Sequence, residues 1–597
     1  MKIKHFIILL AVAGFFFSSN LQAAELFVEA ESFSNKGGWV VDQQFMDQMG
    51  SPYLMAHGIG KPVADARTTV EFPETGTYQV FVRTYNWTSP WYKGNGPGKF
   101  QLIIDGKPLS VILGNTGNQW MWQDAGKVNI KNRKTALALH DLTGFNGRCD
   151  AIYFTKDASF LPPSEAKQLS DFRKKQLGIQ VKYGGKYDFI VVGGGAAGIC
   201  AAVSAARLGV KVALINNRPV LGGNNSSEVR VGLSGDIDKN LYPNIGNVLK
   251  EFNPPRPDNA GPAEEFIDAK KEAIVRDAKI ALFLNLHVYQ VEMNGDKIKA
   301  VVAKHIETGE ETLFEGTYFA DCTGDATVGF LAGADYRMGR ESRYEAFESL
   351  APLFADDQTL GTSNLWSFTT DDKPSTFPVL DWACQFSEQY FIEEDKPDWR
   401  WEGGYSKNQI TDAENIRDQN LRAILGNWSY LKNNHPKYTN RRITWLAYIG
   451  GKRESRRLTG DFILTQNDIQ NQIKYNDASF TTTWTIDLHW ADSQNSRFFP
   501  GEEFYADNFH IRIFPYHVPY RCLYSRNISN LFMAGRNISV THVAFGSIRV
   551  QRTTAMMGEV VGMAASICKK HGSMPRQVYL EYLDELKDLM KKGIPPQ

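Results

Sequence analysis

The chain has 597 residues, 43% hydrophobic and 22% charged, with 66 basic and 66 acidic side chains. A formal net charge of zero with no basic run disfavours a nucleic-acid partner. Six scattered cysteines, none in a C-x-x-C pair, give no support to an iron–sulfur cluster, a zinc ribbon or a dithiol redox pair, and their spacing does not say which would pair in a disulfide.

In chain order, Lys2 and Lys4 precede an apolar run from Phe6 to Phe17, followed by small residues in Leu21-Gln-Ala-Ala-Glu25. The run is shorter than the about 20 residues of a membrane span. It reads as a secretory signal over 1–24, so the expectation is export to the periplasm or beyond, with no stable membrane span.

Residues 25–157 carry short alternating segments: Thr68–Phe72, Tyr78–Arg83, Phe100–Ile104 and Thr135–Leu139, separated by turn signals such as Asp105-Gly106. This spacing predicts an antiparallel all-β sandwich. Phe27-Val-Glu-Ala-Glu-Ser-Phe33 and Gly76-Thr-Tyr-Gln-Val-Phe-Val-Arg83 resemble carbohydrate-binding-type β-sandwich modules. Trp87, Trp91 and Tyr92 lie in a loop-like run and are candidates to stack on sugar rings; the plainer reading is that such aromatics fill the core or an interface.

Pro162-Pro163 marks a break, and Ser164–Leu177 reads as a connecting helix within a linker over 158–183. Then comes Tyr187-Asp-Phe-Ile-Val-Val-Gly-Gly-Gly-Ala-Ala-Gly198, a buried strand running into G-x-G-x-x-G. A small-residue helix and a second apolar strand (Val210–Ile215) follow. This is the order of a dinucleotide-binding βαβ unit. Gly193 makes the tight turn, Gly195 lets backbone approach a pyrophosphate, and Gly198 lets helix and strand pack. Ala196 opens the helix whose free N–H groups face the phosphates. Where an acidic residue usually meets the ribose, the chain has Asn216-Asn217-Arg218.

Three later segments favour FAD over NAD: a Gly222-Gly223 loop, the strand end Thr323-Gly324-Asp325 after an expected β-meander, and Asn530-Leu-Phe-Met-Ala-Gly-Arg536. The last is followed by Thr541–Arg549 and a helix through Gly558 and Gly562. These motifs resemble the FAD-dependent oxidoreductase superfamily with a glutathione-reductase-type fold, closest to its exported bacterial branch. The resemblance implies an α/β FAD/NAD(P)-binding Rossmann-type domain in two parts, 184–345 and 521–570. An inserted substrate region would fill 346–520, and a helical tail 571–597. It also implies that Gly324, Asp325, Gly535 and Arg536 line the cofactor and that Ser547 and Arg549 sit near the flavin.

The inserted region is rich in tryptophan, a set that fits a pocket for a sugar or polyol. Oxidising an alcohol needs a base for the hydroxyl proton. His542, just before the Gly-Ser-Ile-Arg run, is the first candidate, and His517 the second; Arg456 is a candidate anion clamp. The leading expectation is an exported FAD-dependent oxidoreductase acting on a carbohydrate or related polyol, with an unknown electron acceptor. Two alternatives stay open: a flavin-dependent redox-neutral glycan lyase or hydrolase, and a glycan-binding protein on a vestigial nucleotide fold.

Overall fold

The computed structural model describes residues 24–157, 159–252 and 258–596; the expected signal segment, up to residue 23, lies outside the described residues. Among those described, no helix is long and apolar enough to cross a membrane, and all six cysteines are buried and unbridged.

Phe189-Ile-Val-Val192 is buried on both faces, as a parallel strand covered by helices must be. The strand Val181–Val192 is flanked by Val212–Ile215 on one side and Glu311–Asp321 on the other, both parallel to it, with Val192 opposite Ile215 and Asp321. Ala281–Phe283 extends the sheet beyond Val212–Ile215. Leu286–Asn294 and Lys297–His305 form the antiparallel meander that leads into Glu311–Asp321. More than 200 residues later, Leu531–Met533 returns beside Asp321, also parallel. That return brings Gly535 and Arg536 against Gly324.

Two helices lie against the sheet, Ala196–Arg207 and Gln551–His571. A Cβ on Gly558 would sit 2.1 Å from the Ala197 carbonyl oxygen, and one on Gly562 would sit 2.5 Å from that of Ala201. The small residues therefore set the backbone-to-backbone approach of this pair.

Residues 25–155 form antiparallel sheets. One orders Glu25–Glu29, Ala151–Thr155, Gly76–Thr84 and Met121–Ile130; another orders Ala66–Glu71, Lys134–Asp141, Phe100–Ile104 and Lys107–Pro108. Val28, Val80 and Ile152 from the first share a core with Leu102, Leu137 and Leu139 from the second. The connecting helix, Ala166–Leu177, starts at the Glu165 cap. It buries Leu169 and Arg173, and Arg173 pairs with Glu29 at 3.0 Å and Asp150 at 2.5 Å.

The aromatic-rich region around the long helix Ala413–Asn434 packs as a core of its own. Trp366, Trp401 and Trp428 are fully buried against one another. Trp366, Trp382, Trp401 and Trp428, four of the eight tryptophans of the inserted region, are thus core residues and not pocket surface. Of the loop candidates of the N-terminal β region, Trp87 is core, while Trp91 and Tyr92 stay half exposed. Trp87 is buried edge-on against Trp382, Trp91 lies under the Arg422 guanidinium, and Tyr92 donates to Asp381 at 2.6 Å.

Behind this junction runs a buried ionic network. Arg417 meets Asp42 at 2.7 Å and Asp418 at 2.7 Å, and Arg148 meets Asp418 at 2.5 Å and Glu414 at 2.7 Å. The Tyr53 hydroxyl lies between Glu414 at 2.7 Å and Asp42 at 3.0 Å. Both arginines are fully buried, so the network fixes the N-terminal β region to the long helix rigidly.

Candidate functional site

A cleft of about 270 Å³ opens at the carboxyl ends of the parallel strands. One wall is the turn after Val192. Gly193 has φ +104°, and a Cβ there would meet the Cys322 carbonyl oxygen at 2.3 Å; a Cβ on Gly198 would meet the Gly193 carbonyl oxygen at 1.8 Å. Both glycines are required by the fold. Gly195 differs, because its Cβ would find only the Gly223 Cα at 3.9 Å and would project into open cleft. It is the N-cap of Ala196–Arg207 and has no side chain to satisfy the first N–H groups, which leaves them for an anion.

Asn216, Asn217, Arg218, Gly222 and Gly223 all line the cleft. The Asn216 amide is already committed: its oxygen accepts from Gly194 N–H at 3.0 Å, and its nitrogen donates to the carbonyls of Arg218 and Val220. It shapes the glycine turn, and Asn217 and Arg218 are left to face a ribose. Arg218 is itself paired with Glu228 at 3.3 Å.

Thr323, Gly324 and Asp325 form the floor with Gly535 and Arg536. Thr323 donates its hydroxyl to the buried Asp321 at 2.7 Å, which ties down the turn. Asp325 is met by Lys452 at 2.6 Å, Ser455 at 2.7 Å and Arg536 at 3.2 Å. Burial would raise the Asp325 carboxyl, but the Lys452 and Arg536 cations outweigh it and hold it well below the usual carboxylate range. Arg536 Nη1 and Arg549 Nε are buried without a hydrogen-bond partner. Free helix N–H groups, an open glycine cradle and orphaned guanidinium donors on one cleft fit the pyrophosphate, hydroxyls and carbonyl edges of a dinucleotide.

The expected catalytic residues lie elsewhere. His542 begins the helix His542–Ile548; its N–H donates to Glu341 at 2.8 Å and its Nδ1 sits 2.9 Å from Glu454. Arg457 pairs with both of these carboxylates. His542 thereby closes a buried charge cluster and does not line the cleft. His517 bonds Thr481 at 2.7 Å on a strand away from the cleft, and burial lowers its pKa. Ser547 is buried against Thr482. Arg456 lies 3.7 Å over the Phe330 ring and donates to the Asp325 carbonyl, so it braces the floor from behind.

Arg549 does reach the cleft, and it is anchored from behind by the buried His489, which does not line the cleft. Arg549 Nη2 lies 2.8 Å from Asp487 Oδ2 and 2.9 Å from His489 Nε2. His489 Nδ1 is 2.7 Å from Glu402, and its Nε2 is 3.1 Å from Asp487 Oδ1. Arg453 pairs with Glu402 at 3.2 Å. Burial alone would raise Glu402, but Arg453 and His489 hold it down at about 2. Trp399, half exposed, covers the His489 ring at 4.6 Å between centroids. The sequence carries a signal for this cluster: in Ile486-Asp-Leu-His-Trp-Ala491, Asp487 and His489 alternate with Ile486 and Leu488, a polar pair on one face of a buried strand.

A family model described as FAD dependent oxidoreductase matches residues 188–590, the whole of the cleft except the segment contributed by the N-terminal β region. No curated protein matches the chain. Similar solved structures include a geranylgeranyl bacteriochlorophyll reductase-like protein from Thermoplasma acidophilum (13% identity over 68% of this chain and 84% of that chain, TM-score 0.30). An aromatic hydroxylase from angucycline biosynthesis has 13% identity over 68% of this chain and 67% of that chain, with TM-score 0.34. The myxobacterial chondrochloren halogenase has 13% identity over 66% of this chain and 78% of that chain, with TM-score 0.31.

Proposed function

From the premise that this chain belongs to the FAD dependent oxidoreductase family, we propose that it is an exported flavoenzyme that oxidises a hydroxyl-bearing carbon of a carbohydrate or related polyol. FAD is the cofactor. The residues that would hold it are Gly195 and the N–H groups of Ala196–Gly198 at the pyrophosphate, Asn217 and Arg218 toward the ribose, and Asp325, Arg536 and Arg549 along the rest. Bound FAD supplies the hydride acceptor.

The observation that carries the substrate reading is His489, held between two carboxylates beside Arg549 and covered by Trp399. With Arg549 donating to Nε2, Nδ1 carries the ring proton and donates it to Glu402. Nε2 therefore spends its one lone pair on Arg549 and fixes that guanidinium at the cleft. The first turn of Gln551–His571, with Gln551 and Thr554 on the cleft, offers N–H dipoles to developing negative charge. An aromatic face beside a guanidinium suits a ring that is apolar on one side and hydroxylated on its rim.

The test is an anaerobic titration of the holoprotein with a panel of sugars and polyols, read by bleaching of the flavin bands. Bleaching by a sugar supports the reading. A flavin that stays oxidised across the panel while a non-sugar alcohol or an aromatic substrate reduces it would overturn it. N-terminal sequencing of the protein recovered from the cell envelope tests export: the expected first residue lies near Ala24 or Glu25, and an uncleaved Met1 in the cytoplasmic fraction would refute it.

A further inference from the structure

The cleft has a wall that does not belong to the nucleotide-binding fold. Gln43, Gln44, Phe45 and Asp47, from the N-terminal β region, line it together with the Gly193–Gly195 turn. We propose that the segment Gln43–Asp47 is a cofactor-binding element, and that the Gln43 side-chain amide bonds the dinucleotide directly. This rests on the reading that the cleft holds FAD.

The segment is fixed from three sides. Gln44 Oε1 accepts from the Gly450 N–H at 2.8 Å, and Gln44 Nε2 donates to the Tyr448 carbonyl at 3.0 Å, so it is joined to another stretch of the same cleft. Asp47 Oδ1 lies 2.9 Å from His287 Nε2, on the strand Leu286–Asn294 of the nucleotide-binding sheet. Burial would raise the Asp47 carboxyl, but the His287 bond outweighs it and lowers it. Phe45 is buried beneath the Arg417 guanidinium, 5.0 Å from its ring centroid. These contacts use the polar groups of Gln44 and Asp47 and leave one side chain over.

That side chain is Gln43. It is only 3% exposed and it lines the cleft, and no hydrogen bond to another described residue holds its amide, which opens on the cleft. A side chain packed along its stem with its amide open on a cleft presents two donors and an acceptor to whatever fills that cleft. An amide offers both donor and acceptor, which matches the hydroxyls, ring edges and phosphate oxygens that a dinucleotide presents along its length. The neighbouring groups on either side of the segment, Lys452 and Arg417, are each already paired with a carboxylate, so Gln43 is the group of this wall left to bond a ligand.

The experiment measures FAD binding to the deflavinated full chain by quenching of flavin fluorescence, for wild type, Gln43→Ala, Gln43→Glu and Gly195→Val, with thermal unfolding of each apoprotein alongside. Gln43→Ala should lower apoprotein unfolding only by the packing of its buried stem and should raise the FAD dissociation constant about tenfold at a temperature where both apoproteins are folded. Gln43→Glu should raise it further, with the loss shrinking as salt is added. Affinity within twofold of wild type in Gln43→Ala, with Gly195→Val non-binding, would overturn the proposal and reduce the segment to an inert wall. Retention of FAD by Gly195→Val would overturn the cleft reading on which the proposal rests.

Discussion

The two walls of the cleft are built in opposite ways. The Gly193–Gly198 wall is made of backbone from one continuous turn, and its glycines act by having no side chain. The facing wall is drawn from Gln43–Asp47, Thr362, Arg417 and Gly450–Lys452, with one of its joining bonds spanning 406 positions in the chain. Backbone N–H groups point where the helix points them and need little support. Side-chain amides and guanidiniums must be held, and the facing wall spends most of its polar groups holding one another. The difference teaches that affinity for the cofactor on the first wall is a local property, and on the second a property of the assembled molecule.

Four experiments break or sharpen that contrast. The largest effect belongs to Gly195→Val. Its Cβ meets nothing closer than 3.9 Å, so the protein should fold as wild type while FAD binding falls below detection in the fluorescence titration. The second is Arg417→Ala on the facing wall, which leaves Asp42 and Asp418 short of a buried partner. Chemical denaturation should report a loss of about 3–5 kcal/mol, with weakened FAD binding as a consequence of the loosened wall. A variant that weakened FAD without loss of stability would instead make Arg417 a direct ligand.

Third, His489→Ala removes one of the two anchors of Arg549 and should slow FAD reduction by substrate in single-turnover stopped flow while FAD stays bound, whereas His542→Ala should show its effect mainly in thermal stability. The reverse pattern would make His542 the base. The smallest effect is in pH. Glu559, on the helix behind the glycine wall, caps the N–H groups of Gly246 and Val248, and burial lifts it from 4.5 to about 7. Its folded form prefers the proton, so its contribution to stability is present below pH 4.5 and is lost as pH rises to about 7. Glu402 is held down at about 2, so its contribution is present above pH 4.5 and is lost as pH falls toward 2. Melting curves of Glu559→Gln and Glu402→Gln should therefore flatten opposite limbs of the stability profile.

What the sequence made legible follows the same division. The strand–turn–helix around Gly193–Gly198, the meander, and the return through Gly535-Arg536 could be read because each is encoded by contiguous spacing, with paired strands and glycines in fixed order. The β segments of the N-terminal region were legible by alternation. The role of Gln43–Asp47 was not, because nothing in Val-Asp-Gln-Gln-Phe-Met-Asp-Gln distinguishes a cofactor wall from an ordinary loop until Gly450 and His287 are brought to it. The histidine choice turned on a similar point. His542 stands beside the flavin-associated run in sequence, but a helix start directs it to Glu454, while His489 is carried to Arg549 by a strand 60 positions away. The tryptophans read as a pocket because composition does not reveal which faces are turned inward; Trp366, Trp401 and Trp428 pack on one another instead.

The ionic junction behind the facing wall also sets a timetable. Asp42 and Arg417 are 375 residues apart, and Arg148 and Asp418 are 270 apart. At about 5–20 residues per second of synthesis, roughly 20–75 s separate the emergence of Asp42 from that of its partner. During that interval the N-terminal region holds acidic and basic groups destined for burial with no counter-charge to bury them against, and it cannot complete its packing. The loop that closes when they meet is among the longest in the chain and is entropically the last to form. The facing wall of the cleft is thus complete only when segments hundreds of residues apart have met.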